Sequence, residues 1–341
     1  MKKYTHLFAG IAIIAASGMI TPAFGQTSGS SAGLFKKVGA AGGQFLKIPV
    51  GARATGMAGA FSAVSDDLTA IYWNPSGLAN LQGINANLSY NNWFAGFTHN
   101  FAAVSVPISE NYVVALNIVS FSTGNIEKTT VENEGQNGTG EFYSVNDFAI
   151  GGTFAGKVTE QFAFGVNAKY VKNGFSNVRS DGFVFDAGTS YEMGVQGIKL
   201  GFSIHNFGGD QQFGGEDLNV TTSTTGAQEQ VSTPFALPLS FRAGISGNVL
   251  EGDEVNDLIV ALDFETLSDT PEQYALGAEY TWNDLFSVRG GYRLGHDEIN
   301  LAGGVGVKYE STGFGGQVDY SIQPTKSLGI VNRISLGFTL K

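Results

Sequence analysis

A period of two runs through this sequence from Gly83 to the C-terminus. In Gln161–Tyr170, Phe162, Phe164, Val166, Ala168 and Tyr170 fall on one face, with Gln161, Ala163, Gly165, Asn167 and Lys169 on the other. Asn300–Tyr309 repeats the pattern, setting Leu301, Gly303, Val305, Val307 and Tyr309 against Asn300, Ala302, Gly304, Gly306 and Lys308. Glu272–Tyr280 does so again. Alternation of this kind belongs to strands with one apolar face and one small or polar face. A soluble sandwich also alternates, but its polar face carries more charge and its strands are shorter. Here charged residues are only 14% of the chain, low for a water-facing surface. Segments of nine or more residues are long enough to cross an apolar layer at a tilt. The expected fold class is therefore all-β, a transmembrane antiparallel barrel.

The alternating segments predict about fourteen strands, at 83–93, 98–108, 111–121, 145–157, 161–171, 182–192, 198–206, 238–249, 256–266, 272–281, 285–294, 300–310, 314–322 and 330–340. If the first strand runs outward, every even-to-odd connection is short, and the two longest, Ser122–Ser144 and Phe207–Leu237, face outside. Short inner turns with longer outer loops are the asymmetry of bacterial barrels. The long loops hold Glu127, Glu132, Glu134, Asp210, Glu216, Asp217 and Glu229. Aromatic residues near strand ends, among them Tyr90, Trp93, Phe121, Tyr280, Trp282 and Phe286, fit interfacial girdles. In the last strand Ile334, Leu336, Phe338 and Leu340 are set to face lipid, and the chain ends in Lys341.

Residues 1–25 read as an export signal. Lys2 and Lys3 form a basic start, Leu7–Ile20 an apolar run, and Ala23 and Gly25 a small-residue cleavage site before Gln26. The apolar run is short for a transmembrane anchor, and no later run is long enough for a spanning helix. Cysteine is absent, which excludes disulfides, thiolate metal sites and a lipidated cysteine. The net charge of -11 argues against a nucleic-acid partner.

One stretch fits neither signal nor strand. Val50–Leu81 reads VGARATGMAGAFSAVSDDLTAIYWNPSGLANL. Asp66 or Asp67 is expected to cap a helix over Leu68–Trp73, and Pro75 and Gly77 to end it in a sharp turn. We read residues 26–82 as an N-terminal plug or hatch segment and 83–341 as the barrel. Glycines on the inward face, such as Gly165, Gly188, Gly201, Gly244, Gly277 and Gly291, would let such a segment approach the wall.

Asp66-Asp67 leading to Asn74-Pro75-Ser76-Gly77 resembles the N-terminal signature of the FadL-like outer-membrane barrels. The upstream GARATGMAGAFSAVSDD resembles more closely the PorV/PorQ branch found in Bacteroidota. Ser76 departs from the usual Ala after the proline. The resemblance spans nearly the whole mature chain and implies a fourteen-stranded barrel with its hatch in the lumen. It also implies one of two functions. PorV-like members serve the type IX secretion system, while other FadL-like members take up apolar small molecules.

No HExxH, GxSxG, phosphate loop or cysteine-based site occurs, and His99, His205 and His296 are far apart in sequence. We therefore expect no enzyme, no cofactor and no metal site. The inward face carries Lys169, Asp186, His205, Arg242, Asp263, Glu265, Glu279, Arg289, Arg293, Lys308, Asp319 and Arg333. Together with Arg53 of the hatch, these are expected to form a lumen salt-bridge network, since unpaired charge there is expensive; a polar pore is the other reading. The polar long loops favour an interaction subunit or shuttle of a secretion machinery in the outer membrane. It would contact lipid and lipopolysaccharide, and partner proteins through the wall or through loops 122–144 and 207–237. The alternative is a channel for an apolar ligand.

Overall fold

The computed structural model describes residues 41–129, 139–195, 197–215, 218–222, 226–229 and 232–341. The segment read as an export signal lies outside these residues, as do Glu132, Glu134, Glu216 and Asp217 of the long loops.

Fourteen antiparallel strands form the wall. They are β1 (Ile84–Asn92), β2 (Thr98–Pro107), β3 (Tyr112–Ser122), β4 (Asn146–Lys157), β5 (Phe162–Phe175), β6 (Val178–Glu192), β7 (Lys199–Gly208), β8 (Ser240–Asn248), β9 (Asn256–Leu267), β10 (Gln273–Trp282), β11 (Phe286–Leu294), β12 (Leu301–Glu310), β13 (Phe314–Pro324) and β14 (Ile330–Leu340). Each pairs with the next, and β14 returns to β1 with Ile84 opposite Leu340 and Asn92 opposite Asn332. The closed ladder leaves no wall strand with an unpaired edge. One register shift interrupts it, between Phe185 and Ala187 where β6 meets β7.

The direction of the faces identifies the solvent. Leu116, Phe183 and Leu301 are 64%, 67% and 57% exposed on the outside, while Asn117 and Asp186 on the opposite face are 5% and 2% exposed. Apolar rows outside and polar rows inside are the reverse of a soluble barrel and match a wall surrounded by lipid. The barrel is of the transmembrane type, with no exposed backbone edge for lipid to desolvate.

The strand limits follow the alternation closely except at the hairpin of β5 and β6, which runs past the expected ends. Pairing continues through Asn173 with Ser180, Gly174 with Arg179 and Phe175 with Val178. The residues there are polar and read as loop. Their side chains instead bond to one another, with Asn173 Nδ2 donating to Ser180 Oγ at 3.3 Å and to Gln211 Oε1 at 3.1 Å. Within the long loops, Ile126–Glu127 pairs with Phe142–Tyr143, and Asn219–Thr222 with Gly226–Glu229.

Ahead of β1 lies a segment without strands. A 3-10 turn at Gln44–Lys47 is followed by α1 (Ala52–Gly56), α2 (Ala70–Trp73) and a second 3-10 turn at Pro75–Asn80. The expected helix over Leu68–Trp73 is thus a single turn. Asp67 Oδ1 accepts from Thr69 N at 2.8 Å and from the Thr69 hydroxyl, making an Asx turn that delays the helix. The Ala58–Gly59 bend is left-handed, at φ 55° and 82°. The positive φ at Gly59 favours glycine, and a Cβ there would also push aside the end of Arg293, whose Nη2 would lie 1.9 Å away.

Candidate functional site

The Asn-Pro-Ser-Gly motif is explained residue by residue. Asn74 Nδ2 donates to Ser62 O at 2.9 Å and to Thr189 O of β6 at 3.1 Å. Its Oδ1 accepts from Ser76 Oγ at 2.7 Å and Ser76 N at 3.3 Å, capping the Pro75–Asn80 turn. Pro75 opens that turn, where its missing N–H is no loss. It lies against Gly165 and Gly188, at which added Cβ atoms would come within 2.3 Å of Pro75 C and 2.9 Å of Pro75 Cδ. Gly77 passes under Ser65, whose carbonyl oxygen would be 1.8 Å from a Cβ. Ser76 in place of the more usual alanine supplies the hydroxyl that locks Asn74.

Further contacts follow the same logic around the wall. Cβ atoms at Gly201, Gly277 and Gly291 would fall within 2.5 Å of backbone atoms of Ser62 or Met57. Trp73 Nε1 donates to Val50 O at 3.1 Å, and Trp73 O accepts from Ser203 Oγ at 3.0 Å and lies 3.2 Å from His205 Nε2. Ala52, Ala54, Met57, Ala60, Phe61 and Leu78 are essentially solvent-free.

The charged residues fall into several groups. Arg53 bonds Glu279 at 2.7 Å and also pairs with Asp66, with Asp67 Oδ2 at 3.5 Å. Burial works against the Arg53 charge, and the carboxylates of Asp66, Glu279 and Asp67 outweigh it, holding the guanidinium well above its ordinary value. Burial also raises the Asp67 carboxyl, against the pull of Arg53. Glu279 is shared with Arg289, which reaches Asp319 at 2.6 Å. Arg242 bonds Glu265 at 2.9 Å and lies 4.9 and 4.7 Å from the ring centres of Tyr72 and Trp73, while Arg293 stands 3.6 Å from Glu265. Lys169 bonds Asp186 at 2.8 Å.

Three predicted members stand apart from these groups. Asp263 accepts instead from Ser62 N at 2.9 Å, Lys308 pairs with Glu310 at a half-exposed rim, and Arg333 donates to Gln323 Oε1 at 3.0 Å. No cluster of three acidic or histidine residues suited to a metal occurs among the described residues.

Sequence reading missed a cavity. At the barrel end that carries the long loops lies a space of about 500 Å³, walled by Phe45, Ile48, Trp93, Phe94, Phe97, Phe121, Phe175 and Phe213. Its polar members include Glu265, Gln273, Arg293, His296 and Gln323. Trp93 and Phe121, read as girdle residues, turn out to line this cavity. The lining comes from the N-terminal segment, the β1–β2 connection, two strand ends and a long loop, so no periodicity announces it. At the opposite end a polar space of about 440 Å³ is bordered by Arg53, Asp66, Asp257, Lys308 and Glu310.

The lipid-facing wall and the closed fourteen-strand ladder define a β-barrel of the outer-membrane type. Solved structures share the fold. The CymD monoaromatic hydrocarbon channel matches at a TM-score of 0.58 and 15% identity, over 86% of this chain and 98% of that one. The toluene transporter TbuX of Ralstonia pickettii matches at 0.56 and 12%, over 85% and 98%. The toluene transporter TodX of Pseudomonas putida gives 0.53 and 10%, over 80% and 93%. No curated protein matches the sequence. The family model described as type IX secretion system protein PorV matches residues 35–215, more than half of the chain. The protein belongs to the PorV family.

Proposed function

We propose that this barrel captures an apolar small molecule at its outer end. The observation that carries the reading is the aromatic-walled cavity of about 500 Å³, a volume within the usual range for small-molecule sites. Much of the charge on its lining is already engaged: Glu265 is held by Arg293 and by Arg242 beyond the cavity, and Lys47 pairs with Asp269 at 2.9 Å. Solved barrels of the same fold carry the names of hydrocarbon channels and toluene transporters, which supports the same class of ligand.

In this account Val50–Leu81 is a hatch filling the lumen below the cavity. Its buried residues, and the wall glycines that admit its backbone, support that position. The ion pairs of Arg53, Arg242 and Arg289 serve to hold it. Native mass spectrometry of the barrel purified in mild detergent tests the proposal. An apolar adduct displaced by toluene is the expected result, and a barrel with neither adduct nor toluene uptake would contradict it.

A second reading has its own support. The family model names a secretion protein, and loops 122–144 and 207–237 would then dock a larger outer-membrane machinery. Affinity purification from native membranes discriminates between the two. Stoichiometric recovery of other outer-membrane components favours the secretion subunit, and recovery of the barrel alone with a bound apolar molecule favours capture.

A further inference from the structure

The arginines of the barrel interior differ in one respect. Arg53, Arg242, Arg289 and Arg293 each meet a carboxylate. Arg333, on β14, is 2% exposed, and among the described residues it has no acidic partner. Its single hydrogen bond is from Nη1 to the neutral Gln323 Oε1 at 3.0 Å. Nε and Nη2, the two donors of its forked edge, have no protein partner.

The residues beside it repeat the pattern. Asn91 of β1 pairs in register with Arg333 on one side and with His99 of β2 on the other, so the three side chains share one buried face. Asn91 and His99 are 1% and 2% exposed. Both amide atoms of Asn91 and the Nε2 of His99 are likewise without a protein partner. Five orphaned polar atoms on three adjacent residues, around one uncompensated charge, are expensive in a buried site. Water would satisfy hydrogen bonds there but would not neutralise the guanidinium.

We propose that Arg333, with Asn91 beside it, binds one planar monoanion of the carboxylate, bicarbonate or nitrate class. Nε and Nη2 lie parallel in one plane, the geometry that takes two oxygens of such an anion at once. Asn91, opposite Arg333 in register and with its Nδ2 unpartnered, is expected to donate to the same group. Gln323 borders the outer cavity and holds Nη1, so the site lies one side chain behind the cavity floor. This inference is independent of the apolar-capture reading, because a free anion would occupy the site whether or not the cavity holds a ligand.

The test is binding of 13C-labelled formate to the full-length barrel in detergent, read by NMR line broadening, with octanoate as competitor. Saturable formate binding identifies a free-ion site. Octanoate binding without formate binding identifies the carboxylate end of a longer molecule, and both results support the proposal. R333K keeps the charge and loses the fork, and its binding is expected to weaken roughly 10- to 100-fold. R333Q is expected to abolish it, and N91L, which leaves the charge in place, serves as the weakened variant if R333Q does not assemble. A folded wild-type barrel that binds neither anion, or binding that survives in folded R333Q, overturns the proposal.

Discussion

Gly188 of the wall and Asn74 of the N-terminal segment approach so closely that a Cβ on Gly188 would sit 2.1 Å from Asn74 Oδ1. The same Asn74 donates to the carbonyl of Thr189, the next residue along β6. Contact and hydrogen bond together fix the segment to one point of the wall. Gly188→Val is therefore expected to lower stability by about 1–3 kcal/mol and to raise conductance in planar bilayers. Gly313→Ala, at a position with nothing within 4 Å, is the control and should change stability by less than about 0.5 kcal/mol. Urea unfolding of both variants checks the difference.

Arg53 is the cation of the segment's own ion cluster. Arg53→Gln leaves Asp66 and Asp67 without it, while Glu279 keeps Arg289. Breaking a buried pair by removing one partner costs about 3–5 kcal/mol, and the retained Arg289 places this variant near about 3 kcal/mol. A double-mutant cycle with Glu279→Gln should return a favourable coupling energy, and simple additivity would show that Arg53 acts through packing alone.

Much of this was legible in the sequence, and the limits are physical. The wall was readable because side chains alternate strictly and lipid demands an apolar row at every strand. The Arg242–Glu265 and Glu279–Arg289 pairs sit directly opposite in register, which a list of inward charges contains but cannot assign until the strands are paired. The aromatic cavity was not legible. Phe45, Phe121 and Phe213 come from segments remote in sequence from the Trp93–Phe97 connection, and each alone reads as turn, girdle or loop. The long loops look too polar for apolar capture, and of their phenylalanines only Phe213 lines the space. Arg333 was read as one more network member, and only the register places it next to Asn91 and His99 instead of a carboxylate.

His296 gives the outer mouth a pH dependence. Its Nδ1 accepts from Glu298 N at 3.1 Å and Ile299 N at 3.0 Å, which only the neutral ring can do. Burial, with the charge of Arg293, lowers its pKa to about 4, against the opposing pull of Asp297, Glu265 and Glu298. The depressed value means that the ring's stabilising contribution is complete above its unfolded value of about 6.5 and is lost as pH falls through about 4. Amide hydrogen exchange at Glu298 and Ile299 should lose protection across that window. Replacing His296 with Gln should flatten the profile.

The cavity's aromatic wall predicts the specificity of capture. Phe121→Ser removes one ring from it and is expected to weaken an apolar ligand by at least about tenfold, given roughly 1.5–3 kcal/mol for a buried phenylalanine. The same change should leave the segment's contacts at Gly165 and Gly188 intact, so the thermal unfolding midpoint should move little. Equal losses of binding and stability would show that Phe121 packs the fold instead of the ligand.

The fluorescence of Trp93, on the cavity wall, reports directly on toluene entering the purified barrel. Trp73 and Trp282 replaced by Phe would isolate its signal. A saturable change in Trp93 emission, weakened in Phe121→Ser, is expected if the cavity captures apolar molecules. A flat titration from a folded barrel would contradict apolar capture and leave the secretion-subunit reading as the function of this fold.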